Sequence, residues 1–274
     1  MEKEDNNPLD QELSFVTGGD VVARQDSWWW LVVLIVAIVT LLVMLKPVPF
    51  RDIVLFARDG IMVTIIVTVS SYFLMLLLGL FGGLGRVSKN RIIFGISSIY
   101  VEIVRGIPLL VQLIAWYFAS PIIIQKLGLL LNVQPLIEYR ANPIITAILA
   151  ITVCYGAYMS EIVRSGIDSV PRGQMEAARS LGMNYFQAMR HVVLPQAFRV
   201  ILPPMGNEFI ALLKDSSLVS VVAVADLTRR GREFMSAHFN PIETWLMIAL
   251  LYLVLTLIAA RIVSYIEKRA RYNK

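Results

Sequence analysis

The chain holds 274 residues, 57% of them hydrophobic, and its mean hydropathy is +0.68. That apolar content excludes an ordinary soluble domain and leaves room for one membrane domain of several spans and little else. The net charge of +5, from 25 basic and 20 acidic residues, comes with no basic run interleaved with aromatics. It therefore argues for Lys and Arg in cytoplasmic loops and against nucleic-acid binding. Cys154 is the single cysteine, so no intramolecular disulfide forms, and His191 and His238 are too few and too far apart for a metal site.

Residues 1–27 are polar and acidic, with Glu2, Glu4, Asp5, Asp10, Glu12, Asp20 and Asp26 against Lys3 and Arg24. They read as a solvated tail, since a secretory signal needs a basic start and a short apolar core. Trp28, Trp29 and Trp30 open a first apolar span, 28–45, and tryptophan suits the headgroup level. Lys46 to Asp59, with Pro47 and Pro49, reads as a short connection. Gly60 to Leu84 is a second span, punctuated by Thr64, Thr68, Ser70 and Ser71 and ending in Gly79, Gly82, Gly83 and Gly85. Small residues of this kind let helices approach closely in lipid. Arg86, Lys89 and Arg91 follow at once and place this end in the cytoplasm.

Ile92 to Ala119 is a third apolar stretch, longer than the ~20 residues a span needs. Pro108 removes a backbone donor inside it, so a kinked helix is expected there. Glu102 and Arg105, at i and i+3, are placed to pair beside the kink. Residues 120–142 read as a mixed connection, and Pro143 to Arg164 as a fourth span with Glu161 and Arg164 near its cytoplasmic edge.

The most informative stretch is the polar segment Pro171 to Pro195, held between spans. Pro171 suits a first helical turn, with Ser169 or Asp168 available as its cap. Gln174 to Leu181 are helix formers, Gly182 is a left-handed stop, and Asn184 can cap a second helix, Tyr185 to Val193, ending at Leu194-Pro195. Leu194 to Leu213 is a fifth span, interrupted by Pro203-Pro204 and Gly206-Asn207-Glu208. Lys214 to Ser220 reads as a break, and 221–235 as a short reentrant or interfacial helix. Glu243 to Ile266 is the last span, closed by Lys268, Arg269, Arg271 and Lys274. Six spans put both termini on the cytoplasmic side, with the 171–193 helix pair. Arg229, Arg230 and Arg232 then face outward against the charge bias, packed in protein or against a partner.

Glu176-Ala177-Ala178, three residues, Gly182, nine residues, Val192, one residue, Leu194-Pro195 resembles the EAA loop of ABC importer permeases, with Val192 in place of an isoleucine. The likeness continues in Val104–Gln112, Gly156–Arg164, Leu202–Ile210 and Leu213–Ser220, which resemble the polar amino-acid branch of those permeases, the histidine, glutamine and arginine type. The resemblance covers roughly residues 60–267, a five-span core, and leaves 28–45 as an extra N-terminal span of open role.

It implies an all-α membrane protein with the type I importer fold. The implied product is a multi-pass inner-membrane permease, paired with a second permease subunit, that moves a polar L-amino acid by alternating access. It also implies two further partners: a cytoplasmic ATPase subunit that binds the ATP, and an extracytoplasmic amino-acid-binding protein. This chain then has no cofactor or metal of its own and is not itself an enzyme. Glu176, Ala177, Ala178, Gly182, Leu194 and Pro195 are the implied contacts to the ATPase, within coupling helices at 168–193.

Asn207, Glu208, Lys214, Asp215 and Ser216 cluster around the expected break in the fifth span, and Arg105 and Pro108 mark the break in the third. Interrupted helices bind the charged ends of small solutes, because an ammonium group wants a carboxylate and a carboxylate wants N–H donors or a cation. The same residues are also suited to bonding a broken helix to its neighbours, and both readings stand at this point. No Gly-x-x-x-x-Gly-Lys-Ser/Thr loop is present, so ATP hydrolysis falls to a partner. A self-contained secondary transporter is the alternative. A membrane enzyme is disfavoured, for there is no His-rich cluster and no Gly-x-Ser-x-Gly elbow.

Overall fold

The structure, a computed structural model, describes residues 29–272; the acidic stretch 1–27, Trp28, Asn273 and Lys274 lie outside the described residues. The elements run α1 Trp29–Leu45, α2 Pro47–Arg86, α3 Arg91–Gly106, α4 Leu109–Leu131, a single turn Gln134–Ile137 (α5), α6 Pro143–Asp168, α7 Arg172–Ser180 and α8 Tyr185–Ala188. A π-turn Met189–Val193 then leads into α9 Leu194–Asp215, a 3₁₀ segment Ser216–Val222, α10 Leu227–His238 and α11 Pro241–Tyr272. No strand occurs among the described residues.

Among the described residues, four helices are long and apolar enough to cross a membrane: α2, α4, α6 and α11. At 17 residues, α1 is at the short end of the ~17–25 residues that a span takes. The 22-residue α9 is long enough, but its prolines and charged side chains keep it outside that apolar set.

The long helix α2 organises the bundle. The expected connection Lys46–Asp59 is instead, from Pro47 on, the beginning of this helix. Pro47 and Pro49 sit in the opening turn, where no intrahelical partner is lost, and Phe50, Ile53 and Ala57 continue the buried stripe that runs on through Gly60, Thr64, Val67, Ser71 and Met75. Its main partner is α6. A Cβ on Gly79 would collide with Met159, and one on Gly83 with Val163, so these glycines set the approach of the two helices. Ile151, Tyr155, Met159 and Val163 of α6 join Val67 and Met75 in the main core. A smaller core of Phe50, Ile53, Phe234 and Met247 fastens α10 and α11 to the start of α2, with Val39, Leu42 and Val43 of α1 packed on it.

Several expected boundaries move. The third apolar stretch is two helices, not one kinked helix. Ile107 is extended at ψ 129°, the backbone region a following proline favours, and Pro108 becomes the N-cap of α4. The expected connection 120–142 is mostly the rest of α4, which carries Pro121 internally and stops at a left-handed Asn132. The expected interruption of the fifth span is absent, and α9 runs unbroken through Pro203, Pro204, Asn207 and Glu208. Neighbours pack closely along it: Ile201 fills the space over Gly166 of α6, and Val263 of α11 fills that over Gly206.

Candidate functional sites: a helical hairpin and an acidic cavity

The hairpin is built from backbone chemistry. α7 begins at Pro171, with no side-chain cap. The expected caps are used elsewhere, because α6 continues to Asp168: Ser169 Oγ donates to the Gly166 carbonyl at 2.7 Å, and Arg164 donates to Asp168 at 2.7 Å. α7 stops at Gly182, where φ is +89°, and the amides of Gly182 and Met183 donate to the carbonyls of Arg179 (3.0 Å) and Ala178 (3.2 Å). That pair of bonds is a Schellman stop, which a left-handed glycine permits at least cost.

Asn184 and Gln187 then form a reciprocal capping box, both bonds 2.9 Å, and start α8. The expected end of this second helix at Leu194-Pro195 is not observed. The chain widens into the π-turn 189–193 and continues directly into α9. A π-turn relaxes the contact a proline would otherwise make with the carbonyl four residues back, so Pro195 passes within a continuous helical rod.

Of the residues read as coupling contacts, Glu176, Ala177, Gly182 and Pro195 are exposed, Leu194 is half-buried, and Ala178 is buried. Between the hairpin and the span ends lies a polar cavity of about 720 Å³, lined among others by Lys89, Arg172, Met175, Glu176, Arg179 and Tyr185. Lys89 lies 5.3 Å from the Tyr185 ring centroid, tying the α2–α3 turn to the hairpin.

Nearby, the ends of three helices meet at Glu161. It accepts from Arg86 and Arg164, and Arg105 approaches to 3.8 Å. The expected pair Glu102–Arg105 does not form. Glu102 reaches Arg86 at 3.2 Å instead, because α2 and α6 bring stronger partners to both side chains. The Glu161–Arg164 pair is present as the spacing predicts.

The second site is a cavity of about 210 Å³ among the helices, lined by Leu109, Cys154, Tyr155, Tyr158, Glu208 and Asp215. Glu208 and Asp215 are seven residues apart on α9, so two turns of one face deliver both carboxylates. Tyr155 Oη donates to Asp215 Oδ2 at 2.7 Å. Arg105 stacks its guanidinium 5.3 Å from the ring centroid of Tyr158, at the cavity's edge.

The break before Leu109 is propped by Gln112, a buried side chain whose amide donates to both the Val104 and Ile107 carbonyls at 2.8 Å. Those carbonyls lose helical partners at the break, and Gln112 restores them.

The remaining expected residues are not brought to the cavity. Asn207 and Lys214 lie one residue before Glu208 and Asp215, on a different, exposed face. Ser216 is buried and donates to the Leu213 carbonyl at 2.7 Å, which closes α9. Pro108 is exposed at the break. Sequence reasoning missed Tyr155, Tyr158 and Gln112 as site residues; Gln112 and Tyr158 lie within the stretches Val104–Gln112 and Gly156–Arg164 that carry the resemblance, and Tyr155 is marked only by its polarity within an apolar helix.

At the far end of α2, the three arginines of α10 find partners within the chain. Arg230 pairs with Asp59 and Glu233, Arg229 with Glu233 at 2.9 Å, and Arg232 lies 3.4 Å from Ser220. Arg229, and after it Arg230, hold the Glu233 carboxyl below its ordinary range.

Long apolar helices, a polar hairpin spliced between two of them and a carboxylate-lined cavity inside the bundle define an integral membrane transport subunit. The family described as binding-protein-dependent transport system inner membrane component matches residues 75–272, and the chain belongs to it. It is 35% identical to the glutamine transport system permease protein GlnP of Escherichia coli (strain K12) over 196 residues, 72% of this chain and 84% of that protein. It is 37% identical to the L-cystine transport system permease protein TcyB of Bacillus subtilis (strain 168), over 76% of this chain and 87% of the relative. A crystal structure of an amino acid ABC transporter with histidines superposes at TM-score 0.69 with 36% identity, covering 83% of this chain and 97% of that one.

Proposed function

We propose that this chain is the permease subunit of an ATP-driven importer for a polar amino acid, and that the Glu208–Asp215 cavity is its substrate contact. The carrying observation is the convergence of Glu208, Asp215, Tyr155 and Tyr158 on one small cavity beside a propped helix break. Two carboxylates and two tyrosines suit an ammonium or other cationic end of the substrate. Arg105, stacked on Tyr158, is the cation available to a carboxylate. The relatives named for glutamine and cystine transport support an amino-acid substrate.

In this reading α1, α2, the α3–α4 pair, α6, α9 and α11 are the six spans. The family core is 60–267, residues 1–27 and 268–274 are cytoplasmic tails, and 28–45 is the added span. The hairpin displays Glu176, Ala177, Gly182 and Pro195 to a separate ATPase subunit, with Ala178 and Leu194 forming its supporting side. A second permease subunit completes the pathway, a binding protein delivers substrate from outside, and alternation between inward- and outward-open states moves it. ATP hydrolysis belongs to the partner, so this chain requires no cofactor.

The test is uptake of labelled glutamine, arginine, histidine and cystine into proteoliposomes holding the assembled complex, with binding protein outside and ATP inside. Saturable uptake of at least one, dependent on both ATP and binding protein, is expected. Uptake that persists without ATP and follows an ion gradient would instead identify a secondary transporter.

A further inference from the structure

We propose that the acidic N-terminal segment, through Asp10 to Val16, docks into the basic cavity behind the 171–193 hairpin. That cavity, of about 720 Å³, has the volume of a site for several side chains. Its lining divides by chemistry. Ile167, Val170, Met175 and Val193 are buried or half-buried and apolar, whereas Lys89, Arg172 and Arg179 are exposed cations.

Among the described residues, none of these three cations has a carboxylate partner. Of the two carboxylates in the lining, Asp168 is held by Arg164 at 2.7 Å, and Glu176 forms no ion pair with any of the three. Lys89 rests over the Tyr185 ring instead. Apolar walls beside three such cations suit a peptide that carries acidic side chains next to apolar ones. Residues 1–27 hold seven carboxylates against Lys3 and Arg24, and Asp10 and Glu12 stand directly before Leu13, Phe15 and Val16.

The fold brings the segment within reach. Trp29 lines a pocket with Tyr265 and Lys268, so the segment joins the fold at the C-terminal end of α11. Glu267 of α11 shares a pocket with Arg199 of α9. Val193, in the cavity wall, precedes Arg199 by six residues, about 9 Å along the helix axis. Residues 17–28 can span up to ~40 Å, which covers two helix spacings of ~10 Å and that step.

An acidic segment of a partner and an anionic lipid headgroup carry the same charge. The chain's own segment is chosen because it is tethered: at this reach its effective concentration is about millimolar, so exposed ion pairs that are individually weak suffice. Docking there braces the hairpin from behind and leaves Ala177 and Gly182 exposed, since neither lines the cavity. The family match begins at residue 75, so the segment lies outside it and the contact belongs to this chain's own extension. None of these residues lines the Glu208–Asp215 cavity, and the inference stands apart from the substrate reading.

The experiment is photo-cross-linking of the full-length chain in detergent, with p-benzoylphenylalanine in place of Phe15 and the products mapped by peptide mass spectrometry. Cross-links within one chain to residues 167–193 and Lys89 are expected, with a yield that falls several-fold between about 50 and 500 mM salt. Arg172→Glu with Arg179→Glu should lower the yield about tenfold, and adding Asp10→Arg with Glu12→Arg should restore most of it. That restoration separates a lost contact from lost folding. Arg190→Gln, an exposed hairpin cation outside the lining, should leave the yield unchanged.

Cross-links that fall elsewhere in the chain, or a yield indifferent to the reversals at Arg172 and Arg179, would overturn the proposal. Cross-links that join two copies, or that form only on an added ATPase subunit, would assign the segment to a partner and equally overturn it. Loss of the cross-link on addition of phosphatidylglycerol at a few molecules per chain would give the cavity to a lipid headgroup instead.

Discussion

Asp215 receives the Tyr155 hydroxyl on one oxygen and presents the rest of its carboxylate to the cavity. Asp215→Asn keeps an acceptor for Tyr155 and removes the charge, so one charge-assisted bond to a cationic substrate group is lost, worth about 1.5–3 kcal/mol. The half-saturation constant for uptake, measured with binding protein in excess, should rise about 10- to 100-fold. An unchanged constant with poor assembly would make Asp215 a structural residue only. Gly182 carries a different demand. Its φ of +89° is strained for any residue with a Cβ, and within this chain that Cβ would meet open space. Gly182→Ala should therefore cost only the backbone term, about 1–2 kcal/mol. Gly182→Arg projects a long side chain outward from the turn, and should leave the protein in the membrane while reducing ATPase co-purification and ATP-driven uptake. Normal association with normal uptake in that variant would remove the coupling role.

Among the elements, the break between α3 and α4 has two separable causes. Pro108 lacks the donor that would continue α3 and forces Ile107 into extended backbone. Gln112 then satisfies the carbonyls left behind, from a position packed against Cys154 at 3.5 Å. Pro108→Ala alone restores a donor but leaves the Gln112 prop in place, so the break should persist and transport should fall modestly with expression unchanged. Gln112→Leu strands the Ile107 carbonyl and leaves the Val104 carbonyl only the long 3.4 Å bond from the Ile107 amide, a loss of about 1–3 kcal/mol that should lower the midpoint of thermal unfolding. The two changes together should be clearly non-additive, since the double variant is free to form a continuous helix with no carbonyl to prop. Additive losses in a double-mutant cycle would show that Pro108 and Gln112 act independently.

For the whole molecule, the charge distribution orients the bundle. Arg86, Lys89, Arg91 and Lys268 gather at the end that carries the hairpin, whereas the arginines of α10 are offset by Asp59 and Glu233. The hairpin end should therefore be cytoplasmic. Cysteine scanning is clean here because the single native thiol, Cys154, is buried. In intact cells, a membrane-impermeant maleimide should label a cysteine introduced at Ser236 and spare one at Gln187, which should react only after lysis. Strong labelling at Gln187 in intact cells would invert the topology.

Local chemistry was legible without coordinates wherever a signal acts over a few residues. The membrane class followed from composition. The stop at Gly182, the cap at Asn184 and the Glu161–Arg164 pair followed from spacings of one turn or less. Proline positions were legible, but their consequences were not. Pro47 and Pro49 begin a helix, Pro108 separates two, and Pro121, Pro203 and Pro204 are carried inside helices. A missing amide donor breaks a helix only when no neighbour packs it straight, and which neighbours are present is a long-range fact. The same holds for the charged pairs. Arg86 lies 75 residues from Glu161 and Tyr155 lies 60 from Asp215, so no local period relates them. The sequence alone determined that carboxylates and arginines stood inside a membrane chain. Only the packing of α9 on α6 decided that Glu208 and Asp215 share a cavity while Asn207, Lys214 and Ser216 do not. A helix turns about 100° per residue, and one residue of offset is enough to send a side chain to another face.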